Sequence, residues 1–373
     1  MKSLNFWHLQ SNYLVAVQNG DVDRCKALLA VGVDADQMFK INSQNIPAIC
    51  IGVERGAYAL VELLLRSGVA VNSRDSRGRT SLHVAIEMGY DAICQLLLQN
   101  RADPNAADDM LISPLHLAAK RGSSSQVSSL ITFGADVNRK DRSGKSPLHC
   151  ACTFPAANTE VVQLLVESGA AVNDLDLSGY SPLLCALLNS KYDIVRILIN
   201  QGANVDVMAG HGNSPLHITI LGNHPTKWDF LDLLLKKGCN IDQSNSLGQS
   251  PVHLACLKQD IDSLKILISA GANPNTVDRL GITPLGYCIS NGMEKFAHLL
   301  IDGGGREDLD KLNLTRMSAG FRKKLLQRFR NPPSLMELSR RSLIGHFGPY
   351  YRDWANQYRD EVPKALHPFM VFE

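Results

Sequence analysis

Five histidines form the most regular set of reactive side chains in the sequence. His83, His116, His149, His217 and His253 each stand fourth in a short tetrad, TSLH, SPLH, SPLH, SPLH and SPVH. Imidazoles can ligate metals or act as general bases. Zinc sites built from local chain draw ligands only a few residues apart, whereas these follow one another at 33, 33, 68 and 36 residues. One slot refilled at long, near-constant intervals marks a residue that supports the same local structure each time. The nine cysteines are scattered singly apart from Cys150 and Cys152, and no C-x-x-C pair occurs. That usage suits reduced, buried, small apolar side chains better than disulfides or zinc. A thiol buried in a helix has its pKa raised and its reactivity suppressed. No H-E-x-x-H, G-x-S-x-G, P-loop or G-x-G-x-x-G stands in a fitting context, so the expectation is no enzyme, no metal and no cofactor.

The elements that position these residues repeat with them. Tetrads begin at residues 80, 113, 146, 181, 214, 250 and 283, which is 33, 33, 35, 33, 36 and 33 residues apart. Two degenerate copies, PAICIGVERG from 47 and SNYLVAVQNG from 11, bring the count to nine. Within a tetrad the Ser or Thr can accept from the first free helix amides, and the Pro after it loses no useful donor. Together they start a helix, with the next Leu facing the core and the His placed to bridge backbone groups of adjoining units. Gly20, Gly56, Gly89, Gly122 and Gly292 close it. A second helix carries an apolar pair, from Leu28-Leu29 to Leu300-Ile301. A stop such as GADVN (134–138) or GANPN (271–275) follows, and then a turn such as DRSG or DRLG.

The balance of 38 Lys and Arg against 36 Asp and Glu gives a formal charge of +2. No global field therefore recruits nucleic acid or a membrane surface. The start, MKSLNFWHLQ, leads into no apolar run like a signal peptide or membrane span. The expected location is cytoplasmic, with the nucleus left open.

The tetrad, its period and the Gly-Ala stop together resemble the ankyrin repeat, over roughly residues 5–305. The resemblance implies an all-α solenoid of about nine helix-turn-helix repeats, with finger hairpin loops along one edge and a concave face that grips a protein partner. Three insertions interrupt the pattern: between Gly32 and Pro47, at 153–160 and at 222–230, where an exposed Trp228 would point to contact. The expected target-binding positions are Arg74, Arg77 and Arg79 on one finger and Arg139, Lys140 and Arg142 on another, with Lys120 and Arg121 on a first helix. Glu54 and Arg55 stand on a first helix as well. This set is basic, so the expected target presents an acidic surface. Later fingers carry Leu175, Leu177, Tyr180, Met208 and Leu280, where contact would be apolar.

Residues 311–330 hold seven Lys or Arg and no acid. A basic amphipathic helix there can bind membranes or calmodulin, or cap the stack with its polar side outward. After the NPP break at 331–333, Leu335, Leu338, Ser339, Leu343 and Ile344 recur at helical spacing. So short a helix needs cover from the stack or from another protein.

This tail resembles the SOCS box, and the whole chain is similar to the ankyrin-repeat and SOCS-box family. The resemblance implies 1–305 as the repeat array, 306–332 as a basic capping helix and linker, and 333–373 as a three-helix SOCS box. It assigns Leu335, with Ser334, Leu338, Ser339 and Leu343, to elongin C, which travels with elongin B. Ser339 stands where the family carries Cys. Val362, Pro363, Leu366 and Phe369 take the cullin-binding positions for cullin five and its RING partner, with Ala365 in place of a second Pro. The aromatic stretch 347–360 is expected to pack the box against the last repeat. The implied function is that of the target-recognising adaptor of a ubiquitin ligase; the alternative is an ankyrin scaffold without ligase attachment.

Overall fold

The structure, a computed structural model, describes residues 2–154, 158–222, 227–307 and 314–330. The first of two compact units is Met1–Asn189 with Asn200–Gly202. It holds α1 (Lys2–Asn19), α2 (Val22–Ala30), the strands β1 (Met38–Ile41) and β2 (Gln44–Pro47), α3 (Ala48–Glu54), α4 (Tyr58–Arg66), α5 (Ser81–Met88), α6 (Asp91–Gln99), α7 (Pro114–Arg121), α8 (Ser124–Thr132), α9 (Pro147–Thr153), α10 (Thr159–Glu167) and α11 (Pro182–Leu188). The second unit, Ser190–Ile199 and Ala203 onward, holds all but the last residue of α12 (Tyr192–Asn200). It continues with α13 (Pro215–Leu221), α14 (Lys227–Lys236), α15 (Pro251–Leu257), α16 (Ile261–Ser269), α17 (Pro284–Ser290), α18 (Glu294–Asp302) and α19 (Ala319–Arg330). The helix pairs are those the tetrads predict.

One element departs from an all-helical reading. The first insertion folds as an antiparallel hairpin, with Met38 opposite Pro47 and Ile41 opposite Gln44. Asn42 and Ser43 turn it with φ of 48° and 66°. Phe39 on β1 reaches Tyr13 of α1 with ring centroids 5.8 Å apart, so the insertion is packed against the first repeat.

Within each unit, polar devices of three kinds recur between successive repeats. In the first, the backbone N–H of the N-cap donates to the histidine Nδ1, at 3.1 to 3.2 Å in all five tetrads. Nε2 then donates to a carbonyl of the following repeat: Ile112, Lys145, Tyr180, Gln249 and Ile282, at 2.8 to 3.1 Å. Only the neutral tautomer with its proton on Nε2 makes both bonds. Two of the seven tetrads lack the histidine. In the sixth repeat, Ser181 caps the helix by accepting from Leu184 N at 3.3 Å. In the ninth repeat, the Thr283 hydroxyl accepts from Gly286 N and donates to the Glu307 carboxylate.

The second device explains the Asn that ends GADVN. Asn105 and Asn138 each accept an amide of the following repeat, from Asp136 and Ala171 at 2.7 and 2.8 Å. Each also donates to a carbonyl there, Gly134 or Gly169, at 2.9 and 3.0 Å. The third device is in the fingers and is described below.

Between these seams lies the core. Leu64, Leu97, Leu130 and Leu165 of the first unit, and Leu198, Leu234, Leu267 and Leu300 of the second, are the buried leading members of the apolar pairs. Each such side chain contributes about 2 kcal/mol through apolar area removed from water. Because each faces neighbouring repeats, stability belongs to the stack. In the second unit α19 closes it: Phe321 and Leu325, with Met317 before them, are buried, and the Phe321 ring meets His298 of α18 edge-on at 4.8 Å. Arg322 and Lys323 of α19 are exposed.

Candidate interaction surface

Every regular finger is built around one inward carboxylate or amide. Asp75, Asp108, Asp141 and Asp176 in the first unit, and Asn245 and Asp278 in the second, each accept from the amides two and four residues further on. The distances run from 2.8 to 3.0 Å. The acids that balance the finger charge in the sequence are thereby committed to the turn, and the residues after them project. Neighbouring fingers are then joined main chain to main chain. In the first unit Ser76 N donates to Asn45 O, Asp109 N to Arg77 O, Arg142 N to Met110 O and Leu177 N to Ser143 O, at 2.9 to 3.1 Å. In the second, Ser246 N donates to His211 O and Arg279 N to Leu247 O, at 2.9 and 3.0 Å.

The basic residues expected to meet a target divide into two groups. Some are engaged within the fold. Arg79 is half-buried and pairs with Asp75 at 2.9 Å and Glu87 at 2.7 Å. Arg74 donates to the carbonyls of Gly78 and Ala107, stitching one finger to the next. Lys140 pairs with Asp174 at 3.0 Å. Arg121 donates to Glu87 O at 2.5 Å and lies across Gly89, where a Cβ would collide with the guanidinium. Arg139 is half-buried.

Others are free of carboxylates. Lys120 is exposed, with its ammonium 4.6 Å from the centre of the Phe154 ring. Arg77 and Arg142 are exposed at successive finger tips. Turned as its hydrogen bonds require, the Gln44 amide oxygen accepts from Arg77 Nε at 3.2 Å and Nη2 at 2.9 Å. This orients the guanidinium through a neutral partner. Among the described residues neither Arg77 nor Arg142 has an ion pair.

Between those two arginines stand Met110 and Leu111, which the sequence reading passed over. They are 54% and 45% exposed. The available signal was a missing glycine: DDML occupies the place of DSRG, DRSG, DLSG, NSLG and DRLG. In the later fingers Leu175, Leu177, Met208 and Leu280 are exposed as expected, joined by Leu247, Val277 and Ile282, while Tyr180 is half-buried. Trp228, at the start of α14, is exposed.

The reactive side chains are directed inward. All nine cysteines are buried and free. Burial pushes the Cys50, Cys94, Cys150 and Cys239 thiols up to about 12, which removes the thiolate a nucleophile needs. Burial also holds all five tetrad histidines below the ordinary imidazole value, against the opposing pull of the carbonyl each one bonds. Among the described residues no three His, Cys, Asp or Glu side chains gather as metal ligands, and no helix is long and apolar enough to cross a membrane. The elongin positions Ser334, Leu335, Leu338, Ser339 and Leu343, and the cullin positions Val362, Pro363, Leu366 and Phe369, lie outside the described residues.

Comparison with known proteins agrees with this architecture. The family described as "Ankyrin repeats (3 copies)" matches residues 14–108, 115–209, 156–241 and 216–313. The ankyrin repeat protein YahD of Escherichia coli (strain K12) is 35% identical over 68 residues, which is 18% of this chain and 32% of that protein. The chain thus matches about a third of that relative's length. Among solved structures, the crystal structure of the ankyrin repeat domain of Bcl-3, a member of the IkappaB protein family, superposes with a TM-score of 0.50 at 28% identity. That match covers 58% of this chain and 97% of the Bcl-3 domain.

Proposed function

The chain belongs to the ankyrin-repeat family, whose members typically act by holding other proteins, and from that premise we propose that it is the target-recognising adaptor of a ubiquitin ligase. In this reading the repeat array takes the target, while residues 333–373 act as a SOCS box. Leu335, with Ser334, Leu338, Ser339 and Leu343, seats on elongin C and through it elongin B. Val362, Pro363, Leu366 and Phe369 face cullin five, which brings its RING partner. The adaptor does no chemistry. It raises the effective concentration of target lysines beside a charged ubiquitin carrier, turning an encounter between separate molecules into a local one. The site of action is the cytoplasm, with the nucleus also accessible to it.

The observation that carries this reading is the burial of Phe321 and Leu325 of α19. The stack already has a terminal cover, so the apolar stripe from Leu335 to Leu343 is not needed to close it. A helix of that length does not hold itself in water, and a partner subunit supplies what it lacks. The runner-up is a scaffold without ligase attachment.

Co-expression with elongins B and C separates the two. The adaptor reading expects a stable ternary complex, lost in Leu335→Asp with circular dichroism unchanged. A chain that purifies alone in the presence of both elongins is a scaffold.

A further inference from the structure

The strongest unexplained feature of the array is Leu111. In five other fingers the residue at this position is a glycine with φ between 72° and 79°: Gly78, Gly144, Gly179, Gly248 and Gly281. Leu111 holds the same left-handed turn with φ of 59°, a conformation that crowds its Cβ against the backbone. Nothing in the fold is gained by this, because the side chain is 45% exposed and Met110 beside it is 54% exposed. A local rule broken without benefit to packing is characteristic of a functional position.

Its surroundings specify a ligand. Asp109 N donates to Arg77 O at 3.1 Å, and Arg142 N donates to Met110 O at 3.1 Å. The apolar pair is therefore flanked, on the finger before and the finger after, by exposed guanidinium groups that pair with no carboxylate among the described residues. Asp108 and Asp141 are committed to their own turns; Asp109 is exposed on the same finger, with its carboxylate beside Gly78, and makes no ion pair among the described residues.

We propose that Met110 and Leu111, between Arg77 and Arg142, form the anchor for a target segment in which an apolar residue is flanked by carboxylates. The apolar residue covers the two side chains, and its acidic neighbours meet one arginine on each side. An anchor residue surrounded by contacts that exclude water is how a small contact area carries most of the binding energy. The inference rests on the reading of the array as the target-binding part, and it is independent of how the tail is attached.

The full chain, wild type and Leu111→Gly, is used to select short random peptides from a displayed library, and enriched sequences are measured by fluorescence anisotropy. The expected peptides carry an apolar residue between Asp or Glu. Leu111→Gly and Arg142→Glu each weaken them at least about tenfold. Leu111→Gly unfolds at the same or a higher temperature than wild type, because glycine suits the turn, so lost binding is not lost folding. Enriched peptides without acidic residues, peptides that bind Leu111→Gly undiminished, or a selection with no enrichment each overturn the proposal. So does sedimentation showing a dimer that Leu111→Gly dissolves, since the occupant is then a second copy. Peptides that bind elsewhere on the array overturn this anchor while leaving target recognition standing. Loss of the elongin complex alone removes the adaptor reading and leaves the anchor intact.

Discussion

The finger carrying Arg77 in the first unit and the finger carrying Leu280 in the second share one skeleton and present opposite surfaces. Asp75 and Asp278 accept the same two amides at 2.9 Å. The projecting tips differ. The fingers at 75–78, 108–111 and 141–144 of the first unit set guanidinium groups around a Met-Leu pair, whereas those at 245–248 and 278–281 of the second expose Leu247 and Leu280, at 58% and 81%, beside Arg279. Skeleton residues are thus dictated by the fold, while exposed tip residues such as Arg77 and Leu280 vary from finger to finger.

Acidification is the broadest way to strain the shared skeleton, because it acts on five staples at once. Each histidine is held neutral in the folded chain with its pKa lowered, while in the unfolded chain it takes a proton near pH 6.5. The stability this confers is complete above about pH 6.5 and is lost as pH falls below that value, since the unfolded state then binds more protons. Urea unfolding midpoints should therefore be level above about pH 7 and decline steadily between about pH 6.5 and pH 5. A midpoint indifferent to this range contradicts the staple.

Single substitutions sharpen the contrast between units. Phe321→Ala removes the cover of the second unit and should cost about 3 to 5 kcal/mol, with hydrogen exchange rising in α17 and α18 and unchanged in the first unit. His116→Ala leaves the buried amide of Ser113 without an acceptor and removes one of the two bonds to the Lys145 carbonyl, which keeps the Asp141 amide, a loss of about 1 to 3 kcal/mol. His253→Ala should cost about the same in the second unit, and unequal losses would mean that the skeleton is not shared. Arg142→Glu, at a tip, should change stability by less than about 0.5 kcal/mol, measured by the same unfolding curves.

The skeleton was legible in the sequence because it repeats. Ser or Thr, Pro, Leu and His at intervals near 33 residues fix the helix pairs, and the bridging histidines follow from their common slot. The hairpin at 38–47 was legible only as extra length, since an unrepeated segment has no second copy to read it against. Finger charge misled for a different reason. Arg79 and Lys140 look free in a string of letters, but Glu87 and Asp174 reach them only once adjoining helices and fingers are stacked. The departure at Leu111 was written in the sequence as a missing glycine, and it acquires meaning through a positive φ that no composition records.

In the proposed adaptor the array recognises the target and residues 333–373 decide its fate. The direct measurement compares proteins captured by proximity labelling with the intact chain and with a version ending before residue 333, each with and without proteasome inhibition. The account predicts a shared set of proteins, scarce with the intact chain, that rises to the same level on tail removal or on inhibition. A set whose abundance answers to neither contradicts it.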